Sequence, residues 1–145
     1  MMEYLLLALS AVGMGYFPFF EVYLAIPAVM VAGMGPVSAV IWSGAGNFAA
    51  VPTILYFYEQ LNKIPRLQKW LRRLEENRFR SKIERYGGWM VLFTTVIVGV
   101  WAVAVVCRSL GMSRRTLLLT SALSIVVYGV LTAYSVEAGL NWFQA

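Results

Sequence analysis

Few residues in this chain can do acid–base or nucleophilic work. All seven acidic residues are Glu, and the sequence contains neither His nor Asp. Ser-His-Asp triads, His-bearing zinc sites and aspartyl dyads are thereby excluded together. The lone cysteine, Cys107 in "AVAVVCRSL", has no intrachain disulfide partner. Small apolar packing accounts for it better than reactive-thiol chemistry. No metal, no cofactor and no catalytic set is expected, so the chain reads as a non-enzyme; lone Ser or Glu chemistry is the weakest rival.

What remains is a short set of polar groups inside apolar surroundings. Glu21 stands in "YFPFFEVYLAIPAVMVAGMGP" (16–36), a stretch apolar enough for a bilayer yet carrying three prolines and two glycines. Hydrocarbon favours its neutral acid over the carboxylate, which suits a proton-coupling or substrate-binding site. The plainer alternative is a shallow position where Glu21 meets water. Arg108 is the basic residue within an apolar run; it either approaches Glu21 or snorkels to the surface near Arg114. Asn47 lies in the small-residue run "SGAGNFAA" (43–50), where its amide bonds to backbone or to substrate. Tyr16, Tyr23, Trp42, Tyr56, Trp101 and Tyr128 fit an interface belt or packing better than a cation-binding box.

The elements that must position these groups are set by composition. The chain has 145 residues, 60% hydrophobic and 13% charged, with mean hydropathy +0.69. A soluble domain of this length could not cover that much apolar surface, so an all-α integral membrane protein is expected. The start "MMEYLLLALSAVGMG" offers Glu3 instead of a basic n-region, and is expected to be mature protein rather than a signal peptide. Residues 59–88 hold nine Lys/Arg and four Glu. Beside membrane spans such a loop is an orientation signal, and binding to nucleic acid is not expected.

Three blocks follow within one membrane domain: 1–58, a basic connector 59–87, and 88–145. A helix needs about 20 residues to cross the hydrocarbon. Residues 36–58 and 116–134 meet this; residues 4–33 are interrupted by Gly13, Gly15, Pro18 and Pro27, and residues 88–111 by Gly99. If the basic connector is cytoplasmic, a re-entrant hairpin over 88–111 returns Arg114 and Arg115 to the same side. The same logic makes 4–33 a hairpin entering from outside. Gly33-Met34 and Gly111-Met112 each open the turn into a long segment, 78 residues apart. The expected fold is therefore an inverted repeat of re-entrant hairpin plus transmembrane helix, whose sites lie between repeats. Hairpin backbone must be shielded from lipid; the run 43–50 offers a packing surface for it, or alternatively a homodimer contact. Pro27 and Pro52 are expected to shape their helices. In the connector, Pro65 suits a first helical turn. Leu67, Trp70, Leu71, Leu74, Phe79, Ile83 and Tyr86 recur at helical spacing, and Glu76, Arg80 and Glu84 can pair across turns. An amphipathic helix lying on anionic headgroups is expected there.

The segments "EVYLAIP" (21–27), "GNFAAVP" (46–52), "YGGW" (86–89) and Trp101 to Gly111 resemble the small multidrug export family, a branch of the DedA-like membrane superfamily. The resemblance covers about residues 16 to 136. It implies two re-entrant hairpins in an inverted repeat. For function it implies either export or the movement of polyprenyl-phosphate carriers or other lipids between leaflets, linked to proton gradients. Two departures stand out. The family pattern Glu-x-Arg-x-x-Ile-Pro has Tyr23 in place of its Arg, which removes the expected partner of Glu21 and puts Tyr23 at the site. The second hairpin keeps only Gly99 of a Pro/Gly-rich turn.

Together these lead to a multi-pass protein of the inner (cytoplasmic) membrane with the loop 59–88 cytoplasmic, forming a homodimer. It would move an amphipathic lipid or small drug, using Glu21, Arg108, Asn47 and Tyr23. Pro18, Pro27, Gly33, Pro52, Gly99 and Gly111 would bend the chain. The rival function is a non-transporting scaffold or assembly protein acting through its basic helix.

Overall fold

The first apolar stretch breaks at one place only. In the computed structural model, which describes residues 1–61, 63–66, 68–69 and 85–144, α1 (Met2–Tyr16) stops just before Phe17. Proline disfavours the helical region for the residue before it, and Phe17, before Pro18, has φ −68° and ψ 134°. Gly13 and Gly15 stay helical, and so does Pro27 inside α2 (Glu21–Val31). After a turn come α3 (Pro36–Leu61), which continues through Pro52, then α4 (Gly88–Ser109) and α5 (Arg114–Gln144). Among the described residues there is no strand. The side chains of the expected connector helix from Trp70 to Glu84 lie outside the described residues.

α3, α4 and α5 are each long and apolar enough to cross a membrane, whereas α1 and α2 are too short. The sequence expectation put α4 with the interrupted segments, and its length alone does not. Its backbone does: Gly99 has φ 82° and ψ 160° inside the helix, a conformation that only glycine adopts readily. The consequence shows at the ends. A straight α4 would be about 33 Å long at 1.5 Å per residue, placing Gly88 far from the start of α5. Instead a Cβ added at Gly88 would run into Thr120, the seventh residue of α5. The second long segment also outlasts its expected end at residue 134. Ser135 keeps its hydroxyl on the Leu131 carbonyl at 2.8 Å, and the helix runs on through Glu137 and Asn141.

The chain divides into two units, Met1–Ala49 with Ile125–Ala145, and Ala50–Ser124. In the first, α1 and α2 pack on each other. The Tyr4 hydroxyl donates to Ser38 Oγ at 3.3 Å and accepts from Trp42 Nε1 at 3.0 Å, so the chain has returned by the start of α3 to the level where α1 began. Glycine makes the close crossing of α1 and α3 possible. A Cβ at Gly15 would strike the Ser43 carbonyl, and one at Gly46 the Val12 carbonyl. The small-residue run of α3 is thus used within the chain, as a seat for α1. α5 runs antiparallel to α3, with Gly44 against Ile125 and Gly129 against Val40 and Ile26. Ala11, Val22, Ala25, Ile26 and Val29 form the buried centre.

In the second unit Val51, Ile54, Val91, Val100, Ala104 and Leu117 are buried. Much apolar surface stays outside in both units: Phe19, Val37, Ile97, Leu119, Val126 and Tyr134 are all exposed. Single exposed apolar residues are ordinary on a soluble protein, but belts of this extent belong in lipid.

The offset of 78 residues reappears in the backbone. α2 ends with Gly33 N–H donating to Met30 O (3.0 Å) and Met34 N–H to Val29 O (2.9 Å). α4 ends with Gly111 N–H to Arg108 O (3.2 Å) and Met112 N–H to Cys107 O (3.0 Å). Both are Schellman caps, with the glycine at positive φ and the following methionine buried. The apolar face recurs at the same spacing: Val22, Ala25, Ile26 and Val29 are buried, and so are Val100, Val103, Ala104 and Cys107.

Candidate functional site

Glu21 opens α2 directly after the turn that Pro18 enforces, and only 5% of it is exposed. Its φ is 46°, which makes it the one non-glycine in the left-handed region among the described residues. For an L residue that conformation costs about 1–2 kcal/mol. Backbone strain of this kind collects at functional sites.

Two further expected site residues lie in the same unit. Tyr23, one position past Val22 in α2, tilts its ring 56° against that of Tyr128 with centroids 6.3 Å apart. Its hydroxyl is buried with no hydrogen-bond partner among the described residues. Pro27 has no N–H, so the Tyr23 carbonyl also lacks its helical donor. Asn47 is 1% exposed on α3, and its Oδ1 has no partner among the described residues. Ser43, one turn earlier on the same face, is in the same condition. An unmade hydrogen bond on a buried polar group costs about 1–3 kcal/mol, so such groups call for an explanation.

Arg108 belongs to the second unit, in the last turn of α4. Its Nη1 donates to the Met112 carbonyl at 3.1 Å, and its guanidinium carbon lies 5.9 Å from the centroid of the Tyr58 ring. A cation there complements the negative end of the helix dipole and gains a cation–π contact. Its neighbour Cys107 is buried. Pro18, Gly33, Gly99 and Gly111 all sit at breaks or caps, while Pro27 and Pro52 lie inside continuous helices.

Sequence reasoning passed over Ser43, Ser121 and Ser124, each 0% exposed with an unpaired hydroxyl among the described residues. A signal was available. Ser43 and Ser121 stand 78 residues apart, the spacing already visible in the two Gly-Met turns. No group of three or more His, Cys, Asp or Glu able to hold a metal occurs among the described residues. The arrangement can bind a cationic group or exchange a proton at a buried carboxylate.

No curated protein and no solved structure matches the chain. A family does match: the one described as "Putative small multi-drug export protein" covers residues 21–131. That range begins at the strained carboxylate and takes in both glycine caps. By the extent of this match, the chain belongs to the small multidrug export family.

Proposed function

We propose that this chain is a multi-pass carrier of the inner (cytoplasmic) membrane that moves an amphipathic substrate, a lipid or a small drug, with proton exchange at Glu21. The observation that carries the proposal is the coincidence at Glu21 of burial, charge and left-handed backbone. The family name, which speaks of multidrug export, points the same way.

The architecture in this reading is an inverted repeat of DedA-like type, in which α1–α2 and the two halves of α4 are re-entrant hairpins and α3 and α5 cross the bilayer. Three features support it: the repeated Schellman caps, the return of the chain to Ser38 at the start of α3, and the position of Gly88 beside Thr120. The basic loop 59–88 faces the cytoplasm, following the positive-inside rule, and two copies pair as a homodimer. The carrier performs no chemical conversion, needs no cofactor and binds no nucleic acid.

Among the buried described residues Glu21 is the one carrying a formal charge. Arg108 is occupied at its helix end. Both features favour cargo with a cationic head over a lipid phosphate. The test is proton flux into proteoliposomes containing wild type or Glu21→Gln, with a cationic amphiphile and a polyprenyl phosphate offered separately. Flux evoked by the cation and abolished in the variant is the expected result. Flux with the phosphate alone would reverse the charge of the cargo. No flux with either, together with loss of function on neutralising the basic residues of 63–85, would replace the carrier by the scaffold reading.

A further inference from the structure

Charge is divided unevenly between the two units. All twelve Lys and Arg residues lie in Ala50–Ser124. The first unit, Met1–Ala49 with Ile125–Ala145, has none of them and holds Glu3, Glu21 and Glu137. Every side-chain charge in that unit is therefore negative.

Glu21 is buried, but Glu137 borders open space. Where α5 passes α3, a Cβ at Gly129 would meet Val40 at 3.3 Å and Ile26 at 3.5 Å, so the helices lie close there. Toward the start of α3 they leave a groove of about 300 Å³, at the lower end of the range for ligand pockets. Val37 and Ile41 of α3 face Val130, Ala133 and Tyr134 of α5 across it, and Glu137 is the charged group in its lining. Ala133 is buried, while Val37, Val130 and Tyr134 are each more than half exposed.

The groove leads from headgroup level into the hydrocarbon. One end lies at Pro36, where a candidate span begins, and at Glu137, shortly before another ends at Trp142. From Glu137 back to Val130 it covers about 10 Å of helix. Glu3 belongs to the same end, because the hydroxyl of its neighbour Tyr4 donates to Ser38 at 3.3 Å. Apolar walls alone select nothing in a membrane, since any lipid tail is as apolar as they are. Selection falls to the head. A carboxylate at the edge of low-dielectric surroundings attracts a cation more strongly than it would in bulk water. No Lys or Arg of this unit competes for Glu137, and none is present to hold a phosphate. A zwitterionic lipid would bring its phosphate to a face that carries only negative charge.

We propose that the groove between α3 and α5 binds an amphiphile of net positive charge, its ammonium on Glu137 and its alkyl chain along Tyr134, Ala133 and Val130. Glu21 is not part of its lining. Taking cargo in from the leaflet is the use of this site, and that use rests on the carrier reading; the binding does not.

The experiment uses the full chain in phosphatidylcholine nanodiscs and a dodecyltrimethylammonium probe with a diazirine in its chain. The same chain with a sulfate head is the control. After illumination, mass spectrometry should find ammonium-probe adducts on residues 36–41 and 130–137, about fivefold or more above the sulfate probe. Excess unlabelled dodecyltrimethylammonium should remove them. Glu137→Gln should lower labelling to the sulfate level, and Glu137→Asp should restore most of it. Val37→Trp changes an exposed position, fills the groove and should block labelling with the carboxylate intact. Equal labelling by both probes, labelling that excess amphiphile fails to displace, or labelling unchanged in Glu137→Gln would mean ordinary boundary lipid and overturn the site. Loss of these adducts in Glu21→Gln, with Glu137 present, would overturn it too. Groove labelling without proton flux would sink the carrier and keep the site, and flux without labelling the reverse.

Discussion

The break before α2 and the break inside α4 stand at matching positions and differ in the residue placed there. Glu21 and Gly99 are 78 residues apart, both at positive φ, and each lies 12 residues before a Schellman glycine. The second turn uses glycine, for which that conformation is nearly free. The first uses a glutamate, with a four-residue turn and Pro18 to hold it. The two positions share a positive φ and the same distance to a glycine cap, and only the first carries a charge.

Glu21→Gly makes the first turn resemble the second, and has the largest expected effect. Substrate-evoked proton flux should disappear, while the midpoint of denaturant unfolding in micelles should rise by the equivalent of about 1 kcal/mol as left-handed strain is relieved. A fall in stability would mean that the carboxylate is structural. The reverse exchange, Gly99→Ala, puts a Cβ on the most restricted backbone of α4 and should lower stability by about 2–3 kcal/mol. A neutral result would show that Gly99 is not the bend.

The caps offer a finer comparison. Gly33→Ala and Gly111→Ala should each reduce stability by about 1–2 kcal/mol, and by similar amounts, because both glycines hold the same motif. Clearly unequal values in the same unfolding assay would break the equivalence of the halves. Smallest of all, Arg108→Gln should reduce stability by less than about 1 kcal/mol. If it instead abolished flux while stability held, Arg108 would belong to the transport site.

Much of this was legible without coordinates. The absence of His and Asp, the long apolar runs and the basic segment 59–88 fix the class of protein, because hydrocarbon and water partition residues by composition before any packing occurs. The Gly-Met pairs at 78 residues' spacing were equally visible, since a helix C-cap is a local motif that glycine largely dictates. Glu21 could be singled out because a carboxylate in an apolar stretch has few harmless explanations.

Tertiary structure decided the rest. Four breakers stood in residues 4–33, and only Pro18 ended a helix. Gly15 turned out to be a packing residue beneath the Ser43 carbonyl, because a glycine's use depends on what approaches it. The length and hydropathy of α4 describe a plain span; Gly99 and the charge pattern raised an interruption there, and the backbone at Gly99 and the position of Gly88 beside Thr120 show the bend. Asn47 was noticed from its type, but Ser43, Ser121 and Ser124 drew no attention. Serine in a membrane helix usually satisfies itself on its own backbone, and whether it does so is settled by neighbours that sequence spacing does not name.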